Sequence, residues 1–228
     1  MKESQCKEIP NKLKSLSDSQ AVEGMARFGI NPHNTYGVSI PDVRSIAKEC
    51  GRDHALAKKL WESGIHEARI LACMIDKPEE VTERQMENWV KNFDSWDVCD
   101  QCCSNLFDKT EYAYSKAFEW SRRNEEFVKR AGFVLMATLA VHDKKAADGE
   151  FLKFLPVVKR EATDERNFVR KAVNWALRQI GKRNASLNNA AVKTAEEIQR
   201  MNPKSAKWIA SDALRELTSD AVQKRLRE

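Results

Sequence analysis

A helical pattern that recurs along the chain is the feature that most constrains its fold. Four segments have Arg or Lys near their start, followed by small and aliphatic residues at helical spacing, and a fifth segment falls between the first two. These segments span 67–75, 95–107, 127–135, 168–177 and 205–217. Corresponding positions near the starts of these segments are about 30 to 40 residues apart, which is the period of helix-pair repeats such as HEAT.

Further helical segments lie between these repeats and supply the second helix of each pair. They span 55–61, 82–93, 112–122, 149–160 and 190–201. Gly51 and Gly181 stand where helices are expected to end. The chain has only 8 Gly and 6 Pro, too few for a sandwich or barrel of many short strands. The sequence therefore predicts an all-α, HEAT-like helical-repeat solenoid, with a concave basic groove as its binding face.

No linker or low-complexity segment divides the 228 residues. We expect a flexible or loosely attached N-terminal segment over 1–20 and a single HEAT-like domain over 21–228. The N-terminus lacks the apolar core of a signal peptide, and no stretch approaches about 18 apolar residues. A soluble, cytoplasmic protein is therefore expected, with no membrane partner.

The charge of the chain is distributed unevenly. The net charge of +5 says little about partners, but residues 159–228 hold 16 Lys and Arg against 9 Asp and Glu. The preceding 158 residues hold 23 against 25. A basic C-terminal third on a nearly neutral body indicates a negatively charged partner more clearly than the total does.

The six cysteines and four histidines do not form a recognisable catalytic or metal-binding pattern. Cys99, Cys102 and Cys103 are the only cluster, and no second pair of ligands stands at zinc spacing, so we predict small buried hydrophobic residues and no metal. No Gly-rich phosphate loop and no HExxH motif occurs. Conventional hydrolase and nucleotide-binding functions are therefore disfavoured.

The segment 95–107 combines an apolar face with a Trp and an Asp at its edge. On a helical wheel the apolar face consists of Val98, Cys99, Cys102, Cys103 and Leu106. Trp96 and Asp100 are four residues apart at the shoulder of that face, while Asp97 and Gln101 are predicted to point into solvent. The pair forms either the wall of a groove or a core Trp beside a boundary acid.

Two further residues allow a similar choice. Arg130 lies beside the core face of its helix, either as a functional cation or as a solvated Arg with a buried stem. Trp175 lies within a helical repeat, where a core position is the usual alternative to a functional one.

Four stretches of the sequence, taken together, resemble the AlkD-type DNA alkylation repair glycosylases, a family with HEAT-like repeats. They are Met25-Ala-Arg-Phe with the following segment 36–48, Ser95-Trp-Asp-Val-Cys-Asp, Phe127-Val-Lys-Arg, and Phe168-Val-Arg-Lys-Ala-Val-Asn-Trp. The resemblance extends from about residue 25 to residue 217. Phe28 stands where some relatives have Tyr, and Ser95 where some have another aromatic residue.

The resemblance implies a DNA glycosylase that hydrolyses the N-glycosidic bond of cationic N3- or N7-alkylated purines, without a base-binding pocket and without a metal or cofactor. Asp100 corresponds to the catalytic carboxylate, and Trp96 and Trp175 to the aromatic pair that holds the sugar of the lesion. Arg130 corresponds to a contact with the DNA backbone. The expected partner is double-stranded DNA with alkylated bases, bound by a monomer without an obligate protein partner.

Basic residues at the starts of the repeats extend the predicted DNA contact, because each neutralised phosphate adds salt-dependent affinity. The predicted set is Arg130, Arg170, Lys171, Arg178 and Lys207, with Lys182 and Arg183 at its rim. The alternative is a solubilising charged face. Two other functions also remain open: a DNA-structure binder of the same family without excision, and a HEAT-type scaffold that receives a peptide.

Overall fold

The computed structural model describes the backbone of residues 2–227 and the side chains of residues 8–227. Throughout this part of the chain the regular secondary structure is helical, without a strand, so the predicted all-α class is confirmed. None of the helices described is long and apolar enough to cross a membrane. The chain divides into two compact units, Met1–Thr110 and Glu111–Glu228.

Unit 1 consists of seven α-helices in its described part. They are α1 (Lys2–Ser15), α2 (Ser19–Arg27), α3 (Ile40–Cys50), α4 (His54–Glu62), α5 (His66–Ile75), α6 (Glu83–Val90) and α7 (Trp96–Asn105). Short 3-10 turns cover Pro78–Glu80 and Phe107–Lys109. The predicted repeats 67–75 and 95–107 correspond to α5 and α7, which pack on each other, while α3 and α4 pack on α5.

Short polar residues set where the helices of unit 1 begin. The side chains of Asp18, Ser39, Asp53 and Thr82 accept hydrogen bonds from backbone N–H groups in the first turns of α2, α3, α4 and α6. At the other end of α3, Gly51 has φ of 67°, a conformation that favours glycine, and the predicted stop is confirmed.

The predicted loosely attached segment, residues 1–20, contains most of its residues in α1. Ile9 and Leu13 are buried, and α1 contacts α4 and α5 of the same unit. Burying such a side chain contributes about 1.5–3 kcal/mol. The side chains of residues 1–7, Cys6 among them, lie outside the described part. The single domain over 21–228 stays a prediction.

Aromatic stacking joins the outer helices of unit 1. The rings of Trp61 on α4 and Trp89 on α6 stack with centroids 4.1 Å apart and planes 2° from parallel. Phe93 meets Trp61 edge-on at 6.0 Å. Both tryptophans are buried, so these two rings belong to the core and not to a binding surface.

Unit 2 consists of eight α-helices in its described part. They are α8 (Ala113–Trp120), α9 (Glu126–His142), α10 (Asp148–Leu152), α11 (Leu155–Glu161), α12 (Asn167–Gly181), α13 (Ala185–Gln199), α14 (Lys204–Leu217) and α15 (Asp220–Arg225). The predicted repeats correspond to α9, α12 and α14. Helix α12 packs on both α9 and α14, α8 packs on α9, and α13 packs on α14 and α12.

One predicted helix of unit 2 is divided. The segment 149–160 forms two helices, α10 and α11, instead of one. Pro156 lies in the first turn of α11, where its missing N–H costs no helical hydrogen bond, whereas in the interior of one continuous helix it would remove such a bond. The end of α12 at Gly181 agrees with the predicted stop.

Helix α9 is the buried centre of unit 2. Residues 128–140 are all buried, because α8 and α12 both pack on it. Gly132 permits the approach of α8: a Cβ atom at this position would lie 2.5 Å from the backbone N of Ser121 and 3.0 Å from the carbonyl O of Ala117. These are backbone atoms, so they cannot move aside as the end of a flexible side chain would.

We predict that Gly132→Ala destabilises the protein by about 1–3 kcal/mol, because the added methyl group overpacks the contact between α9 and α8. Gly149→Ala in α10 is the matched control, since a Cβ atom there has no neighbour within 4 Å. This variant is expected to be neutral or slightly stabilising. Equilibrium unfolding in urea measures both, and equal stability of the two variants would contradict the packing argument.

Candidate functional site

The start of α7 in unit 1 presents Trp96 and Asp100 on its open side. The two residues are one helical turn apart, and both are half-buried. The opposite side of the helix is fully buried and consists of the predicted apolar residues Val98, Cys99, Cys102 and Cys103. The predicted division of this helix into a core face and a shoulder is confirmed, and Trp96 does not lie in the interior.

The loop after α2 holds the first turn of α7. The indole Nε1–H of Trp96 donates to the carbonyl O of Phe28 at 3.1 Å. The N–H of Asn31 donates to the hydroxyl of buried Ser95 at 2.9 Å, and the Asn31 amide donates to Asp94 at 3.0 Å. The hydroxyl of Ser95 thus has a structural role at the start of α7.

The aromatic side chain of Phe28 is 75% exposed, although its backbone carbonyl is engaged by Trp96. The sequence identified this position only as the place of a missing hydroxyl. The backbone of Phe28 thus supports the start of α7, while its phenyl ring is largely exposed to solvent.

The prediction that Asp97 points into solvent is wrong. Asp97 is buried, and its Oδ2 lies 2.8 Å from Nε2 of His66 at the start of α5. Its Oδ1 accepts the N–H of Val98 at 2.9 Å. A helical wheel places Asp97 away from the apolar face, but α5 covers that side of α7 and supplies a polar partner there.

The contact with Asp97 also changes the protonation of His66. Burial by itself lowers the pKa of an imidazole, because it disfavours the charged form. The hydrogen bond and the negative charge of Asp97, with smaller contributions from Glu67 and Asp94, outweigh burial and raise the pKa of His66 above its ordinary value. The first residue of α5 and the second residue of α7 are therefore joined by a contact that becomes charge-assisted when His66 is protonated.

Glu67, the neighbour of His66, anchors the turn before α3. Its buried carboxylate accepts backbone N–H groups of Tyr36, Gly37 and Val38, the shortest at 2.7 Å from Gly37. Gly37 has φ of 79°, and a Cβ atom there would collide with the carbonyl O of Asp18. The Tyr-Gly-Val motif of the resemblance is thus a structural turn.

The cysteines of α7 are structural. Burial, and then hydrogen bonding to Cys73 and Cys99 respectively, raise the pKa of Cys102 and of Cys103 well above the ordinary range. Protonated thiols are neither nucleophiles nor metal ligands near neutral pH. In the described part of the chain, no group of three or more His, Cys, Asp or Glu is placed to hold a metal ion.

Trp175 and Arg130 in unit 2 differ in exposure. Trp175 is half-buried on α12, so it is not a purely interior residue. Arg130 on α9 is 6% exposed, and its Nη1 donates to the carbonyl O of Phe168, next to the start of α12, at 2.7 Å. The alternative of a solvated Arg130 is therefore wrong; its role as a DNA contact stays a prediction.

The remaining predicted DNA-binding residues are of two kinds. Lys171 and Lys207 are exposed, and Arg170 is half-buried. Arg178, in contrast, forms ion pairs with Glu216 and Asp212 of α14. Its charge is shared with two carboxylates, and its assignment to DNA binding stays a prediction.

The predicted rim residues also serve the fold. Lys182 pairs with Glu216 at 2.6 Å. The two terminal nitrogens of Arg183 donate to the carbonyl O atoms of Ala140 and Ala146, both at 3.0 Å, and its guanidinium lies 4.2 Å from the ring centroid of Phe151. These two cations connect α12 and its following turn to neighbouring elements. The number of basic residues in this region is therefore larger than the number of positive charges available to a ligand.

One exposed residue escaped the sequence analysis. Trp208 on α14 is 38% exposed, and the guanidinium of Arg170 lies 5.3 Å from its ring centroid. Buried Ala206, Ile209 and Ala213 form the core face of α14, and their spacing places position 208 off that face. That departure from the wheel was the available signal.

The chain matches one known family over most of its length. Residues 9–217 match the family described as DNA alkylation repair enzyme. The chain belongs to the DNA alkylation repair enzyme family. The match covers both units, so the family assignment does not depend on one motif.

Relatives of this family member have low sequence identity. An uncharacterized protein from Listeria innocua is 22% identical over 199 residues, which cover 86% of this chain and 87% of the relative. An uncharacterized protein from Listeria monocytogenes has the same identity and coverage. These relatives extend the family without naming an activity.

A solved structure is similar over nearly the whole chain. It represents a new family of proteins related to the HEAT-like repeat DNA glycosylases with affinity for branched DNA structures. The TM-score is 0.78 at 19% identity, with 96% of this chain and 95% of that chain covered. At this identity the likeness concerns the fold, and it confirms the predicted HEAT-like repeats. The concave basic groove stays a prediction.

We predict that Asp97→Asn lowers the stability of the protein in a pH-dependent way. Because the folded pKa of His66 is raised above its ordinary value, the contact contributes fully below the ordinary pKa and is lost as pH rises through the raised pKa. The expected cost is about 3 kcal/mol below the ordinary pKa, and it is smaller above the raised pKa. Urea unfolding at several pH values measures it; an equal cost at every pH would refute the charged contact.

Proposed function

We propose that this family member is a DNA glycosylase that excises cationic N3- and N7-alkylated purines by hydrolysis of the N-glycosidic bond. The observation that carries the proposal is the pair on α7. An indole and a carboxylate lie one turn apart on the same side of the helix, and neither is buried in the core. The alternative of a core Trp does not fit the partial exposure of Trp96.

The chemistry requires little more than a well-placed negative charge. Alkylation at N3 or N7 makes the purine cationic, so the bond to the sugar breaks with the base leaving as a neutral molecule. Positive charge then develops on the deoxyribose, as in glycoside hydrolysis. In the proposal the Asp100 carboxylate stabilises that cation and orients the attacking water. The abasic sugar gains the hydroxyl of the water, and the proton is released.

The two half-buried tryptophans are proposed to hold the sugar of the lesion. The faces of aromatic rings carry negative quadrupole density, which attracts a cationic centre. Trp96 is suited to this role because its Nε1–H is fixed to the Phe28 carbonyl, so its ring is held in one orientation. Trp175 is assigned the same role by the family resemblance and by its partial exposure.

Binding is proposed to rest on contacts with the DNA backbone. Exposed Lys171 and Lys207, with Arg170, are the strongest candidates because their charges are accessible. Arg130 and Arg178 complete the proposed set. A monomer that binds double-stranded DNA with alkylated bases in the cytoplasm, at the nucleoid, fits this assignment. The proposed reaction uses no cofactor, because the alkylated base supplies the charge that activates it.

We predict that Asp100→Asn lowers the single-turnover rate of 7-methylguanine release by about 10²–10³-fold, because an amide lacks the charge that stabilises the developing cation. DNA affinity should be unchanged, since the substitution removes no positive charge. Release is measured by chromatography of free base from methylated duplex, and affinity by fluorescence anisotropy.

Glu79→Gln is the matched control for this experiment, because it neutralises an exposed carboxylate of the same unit. It should excise at the rate of the unmodified protein. Full excision by Asp100→Asn would refute the catalytic assignment, whereas loss of DNA binding would indicate a structural role.

We predict that Lys207→Ala reduces the slope of log affinity against log salt concentration by about 0.9, the value for one lost phosphate contact. Lys159→Ala is the control, since exposed Lys159 of α11 pairs with Glu197 of α13. Its slope should stay that of the unmodified protein. Identical slopes for the two variants would remove Lys207 from the interface.

A second candidate function is binding of branched DNA without excision, because the structurally similar protein belongs to a family with that affinity. The same methylated duplex separates the two candidates: retained binding without any release of 7-methylguanine by the unmodified protein supports the second one.

A further inference from the structure

Trp208 is an aromatic residue of unit 2 that lies outside the buried core. It lies in the second turn of α14 and is 38% exposed, whereas the core face of that helix is fully buried. A Trp is costly to leave in contact with water, and an exposed one commonly marks a binding surface. Trp208 is not among the residues that the proposed function assigns.

One face of the indole is occupied by a cation. The guanidinium of Arg170 lies 5.3 Å from the ring centroid, a cation–π distance. Arg170 Nη2 donates to the Asn167 amide O at 3.2 Å. The Nε of Arg170 is buried and has no hydrogen-bond acceptor in the described protein. A guanidinium has five N–H donors, so this arginine retains donors for an anion beside the ring.

Each residue of this pair has an exposed lysine as its neighbour in the sequence. Lys207 precedes Trp208 and is exposed, and Lys171 follows Arg170 and is also exposed. The two helices that carry them are fixed by Asn174 of α12, whose buried amide donates to the carbonyl O of Ile209 at 3.2 Å. The ring and the guanidinium are thus held against each other on packed helices, and each is followed or preceded by an exposed lysine.

The geometry points to a nucleic-acid subsite: Trp208, backed by Arg170, stacks on an unpaired base of DNA, while Arg170 and Lys207 bind the adjacent phosphate. Stacking of bases on aromatic side chains next to basic residues is how proteins bind unpaired nucleic acid. The inference rests on the DNA binding of the proposed function and adds a structural class of DNA to it.

The chemistry of the subsite selects DNA with an unstacked base. In a matched duplex both faces of every internal base are covered by its neighbours, so an indole finds no ring to stack on. A bulged or extrahelical base has an accessible face. The expected preference is therefore for a duplex with a single-base bulge over a matched duplex of the same length and charge.

The experiment compares a matched duplex, its ends closed by flexible linkers that contain no nucleotide bases, with the same molecule carrying one bulged base, both without chemical damage. Closed ends prevent stacking on terminal base pairs. The unmodified protein should bind the bulged molecule more tightly. Trp208→Ala should lower that affinity by roughly 5- to 100-fold, the range for one lost base stack, and leave the matched affinity within about twofold.

Two variants separate stacking from other effects. Trp208→Phe keeps an aromatic face and should restore part of the preference. Leu152→Ala in α10 removes another exposed apolar side chain of unit 2, 41% exposed, and should change neither affinity. Circular dichroism melting confirms that each variant is folded.

The outcomes distinguish this inference from the proposed function. Retained preference in Trp208→Ala, or equal binding of both molecules by the unmodified protein, overturns the subsite while DNA binding and excision stand. Failure to bind either molecule at low salt overturns both. Loss of the preference in Trp208→Ala with partial recovery in Trp208→Phe supports the subsite.

Discussion

The buried contact between His66 and Asp97 fixes the start of α7, and the proposed chemistry of unit 1 depends on where that helix begins. Asp97 directly follows Trp96 and precedes Asp100 by less than one turn. A charge pair removed from water is strong only when both partners are held, and α5 holds His66 in the core. The Phe28 carbonyl and the Asn31 N–H then hold Trp96 and Ser95, the two adjacent residues at which α7 begins. The half-buried pair is thus placed by contacts that are themselves buried or fixed.

Positive charge has two different roles in this protein. Arg178, Lys182 and Arg183 bind carboxylates or backbone carbonyls of their own unit, so they stabilise the packing of α12. Lys129 at the start of α9 likewise binds carboxylates of its own unit, those of Glu161 and Asp164. Lys171 and Lys207 remain exposed. Fewer positive charges of the C-terminal third are therefore available to a ligand than the number of Lys and Arg residues indicates.

Most of the helices could be predicted because their information is local. Apolar spacing located α5, α7, α9, α12 and α14, and the wheel of α7 separated Cys99 and Cys102 from Trp96. The predicted exposure of Asp97 was wrong because its partner, His66, is 31 residues away in the sequence. A helical wheel contains no information about such tertiary neighbours. The break between α10 and α11 required weighing a single proline against a longer apolar pattern. Trp208 was missed because a Trp within a helical repeat is usually core.

The assignment of the site depends on residues of separate repeats, which are far apart in the sequence and are related to one another by family resemblance. In the proposed mechanism the charge of the lesion itself drives the reaction, and Asp100 is the stabilising anion. The most direct test is a single-turnover comparison of two duplexes bound equally by the unmodified protein, one with 7-methylguanine and one with uracil, a neutral base. The proposed mechanism predicts release of 7-methylguanine and no release of uracil. Release of both bases at similar rates, or of neither, would contradict it.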